Sequence, residues 1–262
     1  MIGAGSVANN ILPILKESGC EILQVYSRTE ESADSLAEKT GAEAVTSFDE
    51  INRISDYYIY CLKDDVLKTL FEKHLPFDVG THLHTSGSVP MNIFEKCGCK
   101  SYGVMYPFQT FTKGRKICMN DVPVFIEAVD RKTCAKIGCL ADVLTENVYL
   151  MPSDKRENLH IAGVMMNNFV NALFCMSEEL LKKANLPINV LVPILNETIK
   201  KAVEIGPRAA QTGPARRGDY SVIEQHMALL ENMPECRKVY SVLTDYILNN
   251  TTRNNEFQGI SE

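Results

Sequence analysis

The sequence predicts an α/β fold in which a doubly wound, mainly parallel β-sheet precedes an all-helical C-terminal domain. Short apolar runs alternate with amphipathic segments as far as residue 150, and this alternation is typical of parallel strands joined by right-handed crossovers. Beyond Pro152 the apolar spacing is helical throughout. The chain has 262 residues, 45% of them hydrophobic, which is enough material for two cores. We predict domains at residues 1–151 and 152–249, followed by a disordered tail at 250–262.

The sheet domain begins with a glycine-rich turn of the pattern G-x-G-x-x-A, formed by Gly3, Gly5 and Ala8. The first glycine permits a tight reversal, the second lets the backbone approach a pyrophosphate, and the small third residue lets the following helix pack on the strand. Free amides at the start of that helix would bind the phosphates. Although three small residues alone are a weak signal, the pattern predicts a Rossmann dinucleotide site. Its predicted phosphate-binding residues are Gly3, Ala4, Gly5, Ser6 and Val7.

The strand before this turn is shorter than expected. A first strand of about five or six residues should precede the glycines, yet only Met1 and Ile2 do so. Two explanations are open: a start upstream of Met1, which we favour, or an unusually short central strand. An in-frame stop codon directly before Met1 would contradict the first explanation.

The next apolar run, Glu21–Tyr26, ends in Ser27, Arg28 and Thr29, where a dinucleotide-binding unit contacts the adenosine ribose. An acidic residue at this point would favour NAD, because it accepts hydrogen bonds from the ribose hydroxyls. A cation flanked by two hydroxyls instead suits the 2′-phosphate of NADP. The predicted cofactor is therefore NADP. The alternative is that Arg28 and Thr29 only begin an exposed helix.

The other elements of the sheet domain follow from the same alternation of apolar runs and helical spacing. The spacing predicts helices at 7–15, 30–39, 48–54, 63–75 and 137–144, and strands at 44–46, 56–62, 79–84, 102–111, 122–127 and 148–150. Ligands of open α/β sheets lie beyond the carboxyl ends of the strands, so Leu62, Lys63 and Ser86 are expected beside the cofactor. The structural alternatives are a helix cap at Asp64 or Asp65 and an ordinary turn around Ser86.

The second half contains helical patterns near 155–184, 189–204, 221–231 and 237–248. In the first of these, His160, Val164 and Asn168 are four residues apart and share one helix face. His160 is the predicted acid or base and Asn168 the predicted substrate-orienting group, although a lone helical histidine is more often structural. The polar loop at 211–219 carries Arg216 and Arg217. These would bind an anionic substrate, or would cap and tether the next helix.

Composition limits the partners and the compartment. A net charge of −6 and a pI near 5.5 argue against nucleic acid or an acidic membrane surface as a partner, and no apolar run reaches the length of a membrane span. The nine cysteines are scattered and lack paired C-x-x-C spacing. This pattern predicts reduced thiols in a cytoplasmic protein and no metal site.

In these motifs the chain resembles the Rossmann-like NADP oxidoreductase family that carries a helical C-terminal domain of unknown function, a family related to ketopantoate reductase and pyrroline-5-carboxylate reductase. The resemblance covers nearly the whole chain and rests on residues 2–8, 26–29, 84–88, 106–111, 160 with 168, and 212–219. It implies NADP binding, homodimerisation through the helical domain and an active site between the domains. It also implies that Tyr106, Gln109 and Thr110 contact the substrate, but it implies no particular substrate.

Two positions differ from the pattern of these relatives. Tyr106 stands where relatives often have histidine, so a proton donor there would be a phenol. Val164 stands where the better-understood reductases have a lysine, one helical turn before Asn168. A reduction without that lysine would need another proton source, such as His160.

The sequence thus predicts an NADP-dependent oxidoreductase that transfers hydride between NADP(H) and a small, anionic carbonyl or imine metabolite. The alternative, which the missing lysine favours, is a non-catalytic NADP-binding sensor or scaffold dimer.

Overall fold

The computed structural model describes residues 1–73 and 79–258. The chain divides into two compact units, Met1–Phe169 and Val170–Glu262, and each is described by itself. The division falls after Phe169, whereas the sequence predicts a domain boundary after residue 151. The first half of the helix predicted at 155–184 therefore groups with the sheet, and its second half groups with the other helices.

The first unit is built on a mainly parallel sheet, as predicted. Its strands are β1 (Gln24–Tyr26), β2 (Glu43–Val45), β3 (Tyr57–Tyr60), β4 (Thr81–His84), β5 (Tyr102–Pro107), β6 (Val124–Ala128) and β7 (Val148–Leu150). Strand β1 pairs with β2, and a second run of pairs follows the order β3-β4-β5-β6-β7. All pairs are parallel except β5 with β6, so β6 and β7 run opposite to the other strands.

The two runs of strands are joined through Ile2, which stands in the place of the first strand. Ile2 forms parallel bridges to Tyr26 of β1 and Tyr60 of β3. Its amide donates to the Ile59 carbonyl at 2.8 Å, and its carbonyl accepts from the Cys61 amide at 2.8 Å. The central strand is thus reduced to one bridging residue within the described chain. It still delivers the glycine turn to the middle of the sheet.

Helices cover both faces of this sheet. They are α1 (Ser6–Glu17), α2 (Glu30–Thr40), α3 (Asp64–Lys73), α4 (Arg131–Asp142) and α5 (Ser153–Gly163). The apolar face of α1, with Ala8, Ile11, Leu12 and Leu15, is buried in the larger of two core clusters. The second core cluster is rich in aromatic side chains. The predicted end of the helix at 63–75, Leu75, lies outside the described residues.

A π-helical segment, Val164–Phe169, continues α5 to the end of the first unit. The second unit then contains α6 (Val170–Lys183), α7 (Val192–Ile205), α8 (Pro207–Ala210), α9 (Pro214–Arg217), α10 (Tyr220–Leu229) and α11 (Pro234–Gln258). The predicted loop at 211–219 is wrong in part, because α9 forms one helical turn between Pro214, which is well suited to a helix start, and the left-handed Gly218. The final helix continues into the predicted tail as far as Gln258.

The helical path Ser153–Lys183 is long and apolar enough to cross a membrane by length and composition alone. The sequence alone predicts no membrane span, so this helix differs from expectation. One such helix is weak evidence for a membrane span, because helices of other kinds pass the same test, and this path also carries His160, Asn167 and Asn168.

Candidate active site

The two glycines of the turn have different roles: the fold requires the first, and the second leaves room for a ligand. Gly3 has φ +106°, and a Cβ there would lie 2.3 Å from the Cys61 carbonyl oxygen, so only glycine fits. Gly5 is the N-cap residue of α1 and makes no side-chain cap. A Cβ on Gly5 would meet no atom within 4 Å. The first-turn amides of α1, which lack helical acceptors, are therefore suited to an anionic phosphate.

The predicted 2′-phosphate loop follows β1. The Ser27 amide donates to the Val45 carbonyl at 3.1 Å, which fixes the loop to β2. Thr29 is the N-cap residue of α2 without a side-chain cap bond, so an exposed helix does begin here. Arg28 is exposed and makes no ion pair with any described residue. A guanidinium without an internal partner, next to two hydroxyls, is suited to bind a phosphate.

The carboxyl ends of β3 and β4 are tied together by Asp64, the first residue of α3. The carboxylate of Asp64 accepts hydrogen bonds from the hydroxyls of Ser86, at 2.7 Å, and Ser88. The Ser86 oxygen also accepts from the Val89 amide at 3.0 Å. The Ser86 hydroxyl is therefore engaged within the protein. Its predicted contact with the nicotinamide stays a prediction, as do those of Leu62 and Lys63 directly after β3.

His160 and Tyr106 form the chemical centre of the first unit. The Tyr106 hydroxyl lies 3.0 Å from Nδ1 of His160. Burial raises the pKa of Tyr106 to about 12, so the phenol keeps its proton at neutral pH. Its hydroxyl can donate to an unprotonated Nδ1 or accept from a protonated one. In both cases Nε2 is the ring nitrogen that makes no hydrogen bond to any described residue and is left for a ligand.

This pair borders a pocket of about 220 Å³. Five of the predicted site residues line it: Tyr106, Gln109, Thr110, His160 and Asn168. The other lining residues are Phe108, Gly163, Val164, Met166 and Asn167. The pocket offers amide and hydroxyl groups around the imidazole and is otherwise apolar. It can therefore hold a small polar group beside a proton donor.

The two predicted anion-binding arginines belong to the second unit and differ from each other. Arg216 is half-buried and borders a pocket of about 240 Å³ together with Arg208 and Gln211. Arg217 is exposed and lies 4.0 Å from Asp219, the residue whose carboxylate caps α10 at the Val222 amide. Arg217 thus contacts the residue that caps α10, which fits the alternative that these arginines tether the next helix.

Three further features were missed by sequence reasoning. A Cβ on Gly87 would lie 2.6 Å from Nδ1 of His160 and 2.7 Å from Cζ of Tyr106, so Gly87 packs directly on the pair. Arg156 is 1% exposed and forms an ion pair with Glu127 at 2.6 Å. Burial lowers the pKa of His84 to about 3, aided by the nearby Arg156 cation. A glycine between two serines and an arginine between Lys155 and Glu157 give no sequence signal of such packing.

Comparison with known proteins agrees with this geometry. Residues 1–76 match the family described as NADP oxidoreductase coenzyme F420-dependent, and residues 122–247 match a domain of unknown function, DUF2520. Comparison with proteins of curated function finds no match. The crystal structure of BF3122 from Bacteroides fragilis, provisionally designated an NADP oxidoreductase, is 40% identical, with coverage of 95% of this chain and 96% of that chain and a TM-score of 0.87.

Two more distant structures share the fold. An imine reductase from Myxococcus stipitatus in complex with NADP+ is 14% identical, with coverage of 97% and 93% and a TM-score of 0.67. A reductive aminase from Aspergillus terreus in complex with NADPH and ethyl levulinate is 15% identical, with coverage of 97% and 92% and a TM-score of 0.74. With a matching N-terminal domain and a 40% identical relative along almost its whole length, the chain belongs to the family of NADP-dependent oxidoreductases.

Proposed function

We propose that this oxidoreductase transfers hydride between NADP(H) and a small, anionic metabolite that carries a carbonyl or imine group. The observation that carries the proposal is the Tyr106–His160 hydrogen bond of 3.0 Å at the edge of a small polar pocket. An imine reductase and a reductive aminase share this fold, which supports an imine or carbonyl group as the group that reacts.

The residues after β1 and around the glycine turn fit NADP. Gly5 leaves space beside the first-turn amides of α1, and Arg28 has no ion-pair partner among the described residues. When bound, the nicotinamide supplies or accepts the hydride. The chain has to orient the substrate and to handle one proton.

Proton transfer is assigned to His160, with Tyr106 holding the correct tautomer. In the reduction direction the protonated ring, which donates Nδ1–H to the Tyr106 oxygen, passes its Nε2 proton to the oxygen or nitrogen of the reduced group. The neutral ring that remains keeps its hydrogen bond to Tyr106 and regains a proton from solvent. Asn168 supplies amide hydrogen bonds that orient the substrate. This assignment removes the need for a lysine at position 164, where this chain has valine.

Arg216 and Arg217 are assigned to bind the anionic group of the substrate. Guanidinium groups bind carboxylates with two parallel hydrogen bonds, and Arg216 already borders a pocket together with Arg208. Loss of affinity in Arg216→Ala for a keto acid, but not for the matching methyl ketone, would support this part. Equal loss for both compounds would contradict it.

We also propose that the enzyme is a cytoplasmic homodimer formed through its helical unit. Large apolar side chains are exposed there, for example Ile194, Val203 and Leu229 at 67%, 82% and 74%, and such a surface favours association. The nine cysteines form no disulfide in the described part of the chain, which suits a reducing compartment. Sedimentation velocity tests the dimer: we expect a species of twice 29.3 kDa that dissociates in Val203→Glu, and a wild-type monomer would overturn the proposal.

The cofactor assignment is tested by titrating the protein with NADPH and NADH at fixed ionic strength. We expect NADPH to bind more tightly, and Arg28→Ala to remove most of that preference because the 2′-phosphate loses its cation. Lys63→Ala is the matched control, since the predicted contact of Lys63 is with the nicotinamide end, which NADPH and NADH share, so the preference for NADPH should stay. Equal preference in wild type and Arg28→Ala would contradict the assignment.

The reaction is tested by following NADPH absorbance with a panel of keto acids, aldehydes and cyclic imines. We expect at least one compound to be reduced, and His160→Ala to lower turnover by about 100-fold or more while NADPH affinity stays within about twofold. NADPH binding without turnover of any compound would favour the sensor alternative. Unchanged turnover in His160→Ala would remove His160 from the mechanism.

A further inference from the structure

We propose that Arg156 is a positioning residue that fixes the Tyr106–His160 pair by tying α5 to the loop at residues 86–89. The inference rests on the proposed function, because it gives that pair its role in proton transfer. Arg156 itself does not line the pocket.

The contacts of Arg156 show what it connects. Its Nη1 donates to Glu127 Oε2 at 2.6 Å, and its Nη2 donates to the Val89 carbonyl at 2.6 Å and to the Ser153 hydroxyl at 3.2 Å. Glu127 in turn accepts from the Ser153 amide at 3.0 Å and from the Ser153 hydroxyl at 2.5 Å. One buried guanidinium therefore joins β6, the start of α5 and the end of the loop.

The loop end that Arg156 holds is close to the proposed chemistry. Val89 follows Gly87 by two residues, and Gly87 packs against both His160 and Tyr106. Arg156 also precedes His160 by one helical turn on α5, so both residues face the same side of that helix. A shift of the loop or of this helical turn would change the distance between the imidazole and the phenol.

Asp64 of α3 also holds this loop, and Arg156 connects the loop to α5. Asp64 binds the hydroxyls of Ser86 and Ser88 from the β3 side. Without Arg156, the loop would stay attached to α3 through Asp64, but its hydrogen-bonded connection to the helix that carries His160 would be reduced to the bond of 3.1 Å from the Met91 amide to the Ser153 hydroxyl. We therefore expect loss of Arg156 to displace the pair more than the cofactor end of the sheet.

A variant that removes Arg156 alone leaves the half-buried Glu127 carboxylate without its cation, which destabilises the fold. The test therefore uses the double variant Arg156→Met/Glu127→Gln, which removes both charges, together with Arg156→Lys, which keeps a cation. The matched control is Glu178→Gln/Lys182→Met, which removes an exposed ion pair of 2.8 Å from α6. Each protein is compared by Tm, NADPH affinity and the NMR signals of the His160 ring, assigned with His160→Gln.

We expect the double variant to fold and to bind NADPH within about twofold of wild type, with the His160 ring signals moved and turnover of the best panel compound at least about tenfold lower. The pH dependence of turnover should change with it, and Arg156→Lys should restore part of both. A folded double variant with wild-type His160 signals and wild-type turnover would overturn the proposal. Because the NMR signals are read without substrate, they decide this point even if His160→Ala shows that His160 takes no part in turnover.

Discussion

At the scale of single residues, the absence of a side chain at position 87 determines how closely the loop after β4 approaches the Tyr106–His160 pair. Gly87 is buried, and the atoms nearest to a Cβ at this position would be Nδ1 of His160 and Cζ of Tyr106, at 2.6 and 2.7 Å. Real contacts are never this short. One added methyl group must therefore move the imidazole, the phenol or the loop.

Gly87→Ala should lower turnover by about 100-fold, because a displacement of about 1 Å at a reacting group has an effect of that order. NADPH affinity should change little, since the glycine turn and Arg28 are elsewhere in the chain. The measurement is kcat and NADPH Kd, with Gly138→Ala as control, where a Cβ meets only Ile126 at 3.7 Å. Wild-type kcat in Gly87→Ala would show that the pair tolerates displacement or is not used.

At the scale of elements, the end of α5 is fitted against the chain that leaves β5. Gly163 is the last residue of α5, and a Cβ there would lie 2.6 Å from a ring carbon of Phe108. Phe108 in turn packs edge-to-face on Tyr106, with ring centroids 5.9 Å apart. The helix therefore approaches the pocket more closely than any other residue type at position 163 would permit.

Because of this close contact, replacing Gly163 by alanine should change stability in the opposite direction to the usual Gly→Ala substitution in a helix. Gly→Ala inside a helix ordinarily stabilises by about 1 kcal/mol, and we expect Gly138→Ala in α4 to do so. Gly163→Ala should instead destabilise by about 1–2 kcal/mol through overpacking, and Phe108→Leu should relieve part of that loss. Urea unfolding of the single and double variants measures the coupling. Additive effects of Gly163→Ala and Phe108→Leu would contradict the proposed contact.

The element scale also shows what the sequence could predict and what it could not. Most strands and helices were predicted because periodicity is local, whereas the helix predicted at 48–54 is only a 3₁₀ turn at Phe48–Glu50. The antiparallel β6 was not, because direction depends on the path of residues 108–123, which contain no crossover helix. The pocket residues His160, Asn168 and Tyr106 were predicted as separate motifs. The packing of Gly87 and the ion pair of Arg156 depend on residues distant in sequence, so no local pattern reveals them.

At the scale of the whole molecule, the response of stability to acid should contain a contribution from His84. This side chain is fully buried at the end of β4, and burial lowers its pKa to about 3. The unfolded chain binds a proton at this residue below pH of about 6.5, whereas the folded chain does not. Stability from this residue is therefore complete above that pH and is lost as the pH falls towards 3.

We expect the free energy of unfolding to fall between pH 6.5 and pH 5 by about 2 kcal/mol on account of His84. His84→Asn keeps an acceptor for the Ser86 amide, which Nδ1 accepts at 3.2 Å in the wild type. This variant should be less stable at pH 8 and should lose less stability on acidification. Urea unfolding at pH values from 8 to 5 gives, for each protein, the slope of the free energy of unfolding against pH, with pH 8 as the reference. Parallel slopes for the two proteins would contradict the burial of a neutral imidazole.

The π-helical segment Val164–Phe169 has a consequence for how relatives should be aligned. A turn closed by i→i+5 bonds contains about one residue more than an α-helical turn of the same path. Relatives with a regular helix here would carry one residue fewer between the positions of His160 and Asn168. An alignment that forbids a gap inside this helix would pair Asn168 with its neighbour, and a motif with fixed spacing would overlook chains that keep the same pocket.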